Sequence, residues 1–215
     1  MNQSTAFPIE LPWSQRIAAS ALVRYAVDQS HWSYKYGLLF KGVYDLWQQT
    51  GNTRYWQALT AYADHFVDDN GEIRTYRQDE YNIDNINAGK VLFPLYRETE
   101  DGRYRLAMDS LREQLRHHPR TNEGGFWHKQ IYPYQMWLDG IYMGSVFYAE
   151  YAATFDEPEA FDDITFQFLT IEKHTRDPRT GLLYHAWDES RQMPWADPIT
   201  GCSSHFWSRA IGWYV

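Results

Sequence analysis

The chain is poor in the features that mark several large functional classes. Its 215 residues include one cysteine, Cys202, so it can form neither an internal disulfide nor a thiolate zinc cluster. A lone cysteine also favours a cytoplasmic setting. Basic residues are outnumbered, 20 Lys and Arg against 28 Asp and Glu, for a net charge of -8. No basic stripe is visible, which argues against nucleic acid as a partner, because binding phosphates needs one. A small anionic ligand, held by a few local donors, stays compatible with that charge. No stretch is long and apolar enough to span a membrane. The opening segment, MNQSTAFPIELPWSQRIAAS, lacks a charged start followed by an apolar run, so no secretory signal is read there.

Aromatic residues are abundant instead, at 18% of the chain with 10 Trp and 17 Tyr. Large rings could simply fill a helical barrel. The excess favours a ligand surface lined with flat, amphipathic rings.

Apolar periodicity predicts helix after helix and no convincing strands. The first spans Trp13 to Gln29 and the second Tyr34 to Gln49, ending at Thr50-Gly51-Asn52, a C-cap glycine followed by an N-cap. Thr53 to Asp68 is amphipathic, with Tyr55, Trp56, Leu59, Tyr62, Ala63 and Phe66 on one stripe. The pattern recurs as Asn85 to Glu98, a turn at Asp101-Gly102, then Arg103 to His117. It recurs again as Met136 to Thr154, a turn at Phe155 to Pro158, then Glu159 to His174. A further unit opens at His205 with HFWSRAIGWYV. TGNTRYW and TEDGRYR occupy matching places, at a spacing of roughly 50 residues, as in a helical-hairpin array.

Helices that are apolar all round belong inside and one-faced helices outside. Alternating them gives an α/α barrel, with a superhelical solenoid as the alternative. In a barrel the inner helices all point one way, so their N-termini share a rim and present unpaired N–H groups and partial positive charge. The connections Asp69 to Tyr81, Pro119 to Gln135 and Arg176 to Ser204 lead into inner helices and line that rim.

Asp84, in YNIDNINAGK, precedes one inner helix, and Asp139, in QMWLDG, lies in the first turn of the next. Each could be an inert capping carboxylate. At equivalent places in neighbouring repeats they should face each other, which favours a working pair. The helix N-terminus lowers a carboxyl pKa, while aromatic burial and a second carboxylate raise it. Asp139, beside Trp137 and the inner core, is expected to be the protonated partner. His128 and His185 stand in the preceding loops, and neither has a partner at metal-ligand spacing. Arg209 could clamp a carboxylate or pair with Asp84 or Asp139. Trp207 and Trp213 could be core or sugar platforms.

The phrases NIDNINAGK, FWHKQIYPYQMWLDGIYMG, HAWD and WSRAIGWY together resemble the unsaturated rhamnogalacturonyl hydrolases of glycoside hydrolase family 105, related to the family 88 glucuronyl hydrolases. The resemblance runs from about Trp32 to the last residue. It implies an all-α (α/α)6 barrel of twelve helices, about eight of them in this chain, forming one partial catalytic domain over 1–215. It further implies removal of a 4,5-unsaturated uronic acid from pectin-derived oligosaccharides, by protonation of C4 and addition of water at C5. Asp139 would be the general acid and Asp84 the second acidic residue. Tyr34, His128, Trp137, His185, Trp207, Arg209 and Trp213 would bind substrate, with Tyr36 competing for the Tyr34 role. No cofactor or metal is implied. Other readings are a different glycosidase or a sugar epimerase on the same barrel, or a noncatalytic carbohydrate-binding array.

The chain stops inside an apolar helix, so it is expected to be truncated. An open barrel would expose apolar faces through which copies could self-associate.

Overall fold

The computed structural model describes residues 11–215; residues 1–10, half of the segment read as free of a secretory signal, lie outside it. The helices are α1 (Trp13–Arg24), α2 (Tyr34–Thr50), α3 (Thr53–Phe66), α4 (84–99), α5 (Gly102–His117), α6 (138–155), α7 (Ala160–Thr175) and α8 (Ser208–Tyr214). No helix among the described residues is long and apolar enough to cross a membrane.

Burial separates inner from outer helices as the periodicity predicts. On α4 every residue from Ile86 to Leu95 is buried, Asn87 and Lys90 included. On α5 only a stripe is buried, with Tyr104, Ala107, Met108, Leu111 and Leu115 at helical spacing. The inner helices α2, α4, α6 and α8 stand side by side, each against the next, with α3, α5 and α7 outside. Together they form part of an (α/α) barrel. Close approach is built in, because a Cβ on Gly37 of α2 would lie 2.7 Å from Ala88 Cα of α4.

Each unit has the same punctuation. The inner helix ends on a left-handed residue whose N–H closes the last turn: Gly51, then Glu100, then Asp156. The second turn therefore differs from the sequence reading. Glu100 takes the left-handed place, and Gly102 is already the first residue of α5. Asn52 and Asp101 cap the next helix by accepting from the N–H of Arg54 and Arg103. After each outer helix comes a tight turn with a left-handed glycine, at Gly71, Gly124 and Gly181. Each turn is closed by an antiparallel bridge, Val67 with Ile73, Arg120 with Phe126 and Arg176 with Leu183. The chain then returns along the rim.

Other boundaries also move. The first helix ends at Arg24 and only a 3-10 turn, Val27–Gln29, follows, because residues 25–33 must reverse the chain into α2. The third stops at Phe66, since Val67 enters its bridge. The last starts at Ser208 rather than His205. The largest correction is at α6. Gln135–Trp137, read as the start of a helix, is a strand, β1, paired antiparallel with β2 (Ala186–Asp188). The helix begins at Leu138 and passes through a π segment, Ile141–Ser145, before regular α geometry from Val146. Similarly α4 has a 3-10 stretch, Ala88–Val91, between two α segments.

One core joins α1 to α7. A second, smaller one gathers Met136, Leu138, Ile141, Ile171, Leu183, Trp187, Cys202 and Ala210 under the ribbon and α8.

Candidate active site

Backbone pairing at the rim explains why distant motifs meet. Ile83 N–H donates to the His128 carbonyl at 3.2 Å, and Gln130 N–H to that of Tyr81 at 3.2 Å. His128 N–H in turn donates to the Gln135 carbonyl at 2.7 Å. β1 pairs with β2, and Leu138 N–H donates to the His185 carbonyl at 3.0 Å. Ser203 N–H closes the series on the Ala186 carbonyl at 2.9 Å. Segments separated by more than a hundred residues thus form one hydrogen-bonded band that carries Asp84, His128, Trp137, Asp139 and His185.

A second layer braces it. Gln114 on α5 donates to the Asn82 carbonyl and meets His118, whose Nε2 lies 2.8 Å from the Trp127 carbonyl. Burial pushes the His118 imidazole down to about 4, so it is neutral and suited to donating there.

Asp84 is the first residue of α4, yet it does not cap its own helix. The N–H of Asp84 is capped by Asn82 Oδ1 at 3.1 Å. The Asp84 carboxylate faces Lys129 Nζ at 2.7 Å and His128 Nε2 at 3.3 Å. Burial pushes its pKa up, but the hydrogen bonds and charges of His128 and Lys129 outweigh that and hold it below the usual carboxylate range.

Asp139 has the opposite surroundings. It sits in the first turn of α6, half-buried, and its Oδ2 is buried without a protein hydrogen-bond partner. Desolvation raises its pKa; the charges of His128 and Arg209 and the backbone pull it down, Asp84 pushes it up, and the net direction is upward. The two carboxyls therefore differ in protonation tendency in the order read from the sequence.

His128 is buried and stacks on Trp137 with centroids 4.4 Å apart, while Tyr132 stacks on Trp137 at 5.2 Å. On its other side a Cβ at Gly140 would come within 3.2 Å of Nδ1, so glycine leaves the ring its place. His185 Nδ1 meets Ser203 Oγ at 2.9 Å, with Trp207 edge-on at 6.1 Å. The Arg209 guanidinium lies over the Trp207 ring at 3.8 Å; Lys129 and His128, not Arg209, hold Asp84. Trp213 packs against Tyr142 at 4.7 Å and edge-on to Tyr34 at 6.4 Å. Tyr36, the competitor of Tyr34, turns to the core and stacks on Tyr62. Lys90 donates to the Tyr142 hydroxyl at 2.9 Å, and burial brings its pKa down to about 8. Among the described residues no group of three or more His, Cys, Asp or Glu is placed to hold a metal.

Sequence reasoning missed Lys129 and Tyr132. Lys129 adjoins His128 in the quoted motif, but a loop lysine reads as solvated until its loop is seen to bridge Asn82. Asp188 of the HAWD phrase is a structural carboxylate. It is buried and accepts from Ser190, Gln192 and Met193.

Residues 13–215 match the sequence profile described as Glycosyl Hydrolase Family 88. The chain belongs to that family. It is 28% identical over 188 residues to the unsaturated rhamnogalacturonyl hydrolase YesR of Bacillus subtilis, covering 85% of this chain and 51% of that one. Against the C. acetobutylicum glycoside hydrolase from family 105 the TM-score is 0.91 at 46% identity, with 95% of this chain and 57% of that chain covered. An alpha-1,6-mannanase from a Salegentibacter species shares the fold alone, at TM-score 0.68 and 15% identity over 94% of this chain and 61% of the other. This family 88 chain thus spans about half the length of its curated relative.

Proposed function

We propose that the chain carries the acid–base half of an unsaturated uronyl hydrolase acting on pectin-derived, rhamnogalacturonan-type oligosaccharides. The observation that carries this reading is the asymmetry of the two carboxyls. Asp84 is kept ionised by Lys129 and His128, and Asp139 is desolvated, with one oxygen unpartnered. Kinship with YesR supports the substrate class.

In the reaction, Asp139 gives its proton to C4 of the C4=C5 vinyl ether. Positive charge develops at C5 and the ring oxygen, beside the anionic Asp84. Water adds at C5 and returns a proton to the Asp139 carboxylate, so the acid is regenerated. The resulting hemiketal opens and releases the next sugar. Protonating a carbon needs an acid that still carries its proton at working pH and sits out of water, which suits Asp139 better than Asp84. Trp137, stacked with both His128 and Tyr132, holds the His128 ring in place and meets the sugar with its edge.

The test mixes the 215-residue chain with unsaturated uronyl disaccharides and follows loss of the near-ultraviolet absorbance of the conjugated double bond. Asp139-dependent loss is expected. Sugar release with the chromophore intact would instead identify an ordinary glycosidase.

A further inference from the structure

The opening of α6 carries Asp139 on a backbone that is weak by itself. Its sequence, LDGIYMGS over 138–145, has glycines at 140 and 144, where no side chain stiffens the helix. Ile141–Ser145 form the π segment, in which i→i+5 pairing replaces i→i+4 and takes up one extra residue. Each residue turns an α-helix by about 100°, so the extra residue re-aims the first turn relative to the rest by roughly that angle. Packing follows the change of direction. Leu138 and Ile141 belong to the smaller core under the ribbon, whereas Met143, Phe147 and Tyr151 belong to the larger one. Continuous α geometry back from Val146 would swing Asp139 away from the His128 and Arg209 charges that now face it.

Tyr142, inside the π segment and three residues after Asp139, is gripped at both ends by α4. Asn87 Nδ2 donates to its carbonyl at 3.1 Å. Lys90 Nζ donates to its hydroxyl at 2.9 Å and lies 4.6 Å from the centre of its ring. Asn87 and Lys90 are three residues apart, so one face of α4 presents both. Trp213 of α8 packs against the same tyrosine ring at 4.7 Å.

Neither polar residue is filler. Both are buried in a stretch of α4 that is otherwise apolar from Ile86 to Leu95, and burying an amide or an ammonium is costly unless a partner takes it. Asn87 Oδ1 has no protein partner among the described residues, so the contact with the Tyr142 carbonyl is what the amide makes. The charges around Lys90 are taken up with one another: Lys41 pairs with Asp45 on α2 at 2.6 Å, and Glu150 of α6 with Arg97 at 3.0 Å. The Lys90 ammonium is left with the Tyr142 hydroxyl as its hydrogen-bond partner. A two-point grip on one tyrosine within a π turn fixes where along the helix that turn falls.

We propose that Asn87 and Lys90 are positioning residues, which hold Tyr142 and so fix the π turn that aims Asp139 into the rim. They act through Tyr142 and the helix backbone, not on the sugar. The turnover arm of the test rests on the hydrolase reading; the titration arm does not.

The variants are Asn87→Leu and the pair Lys90→Met/Tyr142→Phe, made in the full chain. The pair replaces both partners of one hydrogen bond by apolar groups of similar shape, which is nearly neutral for stability, so its melting temperature should stay close to that of the parent. In the first arm the Asp139 carboxyl is titrated by carbon NMR of isotope-labelled aspartates, with Asp139→Asn supplying the assignment. In the parent it should titrate above the ordinary carboxyl value of about 4. In both variants it should fall toward that value as the side chain turns to water. In the second arm, kcat on an unsaturated uronyl disaccharide should drop about ten- to hundred-fold with KM nearly unchanged, because the acid is misplaced while the sugar surface is kept. An Asp139 titration that is the same in parent and variants overturns the proposal. So does a kcat loss that follows melting temperature with the titration unmoved, which would reduce both residues to core packing. If the parent turns over no disaccharide yet the titration moves in the variants, the hydrolase reading fails and the grip on Tyr142 stands.

Discussion

The second and third repeats are built alike and partnered differently. Each opens an inner helix with an aspartate at the rim, Asp84 on α4 and Asp139 on α6. The first is gripped by a lysine and a histidine from the loop of the next repeat; the second has an oxygen with no protein partner. Equivalent positions therefore diverge in chemistry through what the neighbouring loops deliver. One residue keeps its charge and the other tends to keep its proton.

The largest expected effect of breaking this contrast is on turnover. Asp139→Asn should cost about 10²–10⁴-fold in kcat, the usual worth of a positioned proton donor. Asp84→Asn should act partly through Asp139. The Asp84 charge raises the Asp139 pKa, so its loss should move the basic limb of the kcat/KM profile to lower pH. Lys129→Met should do the reverse to the acidic limb. With its cation gone, Asp84 protonates at higher pH, and that limb rises. A profile that stays fixed in both variants would separate the two carboxyls and sink the coupled reading.

Next in size are the glycines that let the two inner helices approach. A Cβ on Gly89 of α4 would lie 2.8 Å from Phe147 Cε2, and one on Gly144 of α6 would lie 2.7 Å from Ile83 Cδ1. Gly89→Ala should destabilise by about 1–3 kcal/mol, as overpacking does, measured by denaturant unfolding. Gly144→Ala should cost a similar amount and also disturb activity, because Ile83 adjoins Asp84.

Smaller, and opposite in sign, are the effects of the two aspartates on folding. Asp84 has a depressed folded pKa, so its stabilisation is full above the ordinary carboxyl value of about 4 and fades as pH falls through the folded pKa. Asp84→Asn should therefore lower Tm at neutral pH and matter less in acid. Asp139 has a raised folded pKa, so its ionisation opposes folding once pH exceeds that value. Asp139→Asn should raise Tm at neutral pH, and the gain should vanish in acid. Two variants shifting Tm the same way at neutral pH would contradict the difference in environment.

The same contrast shows what a sequence can express. Helical periodicity placed both aspartates at the rim, because burial on α4 and α6 is dictated by residues within the helix. It extended α6 backwards over Met136 and Trp137, since apolar residues fit a helical face as well as a strand. Pairing with Ala186–Asp188, some fifty residues on, decides the matter, and local pattern carries no trace of it. The expected charge order of the carboxyls followed from aromatic burial, while the agent that fixes Asp84, Lys129, arrives through a loop bridge that only the fold reveals. Arg209 was legible as a cation near the rim, but its position over Trp207 depends on the start of α8 at Ser208.

The smallest prediction returns to the turns that end three of the inner helices. Gly51 closes α2 in the left-handed region at φ 64, whereas Glu100 and Asp156 occupy it at φ 55 and 58 in the later repeats. A side chain there strains against the following carbonyl, a cost glycine lacks, though glycine gives back part of the gain as backbone entropy. Glu100→Gly should accordingly stabilise by about 0.5–1 kcal/mol, read as a shift in urea midpoint at unchanged slope. Asp156→Gly should gain less, because aspartate tolerates the left-handed region better than glutamate does. A gain at Asp156 equal to that at Glu100 would mean that the two turns are strained alike, and that the repeats differ at the rim alone.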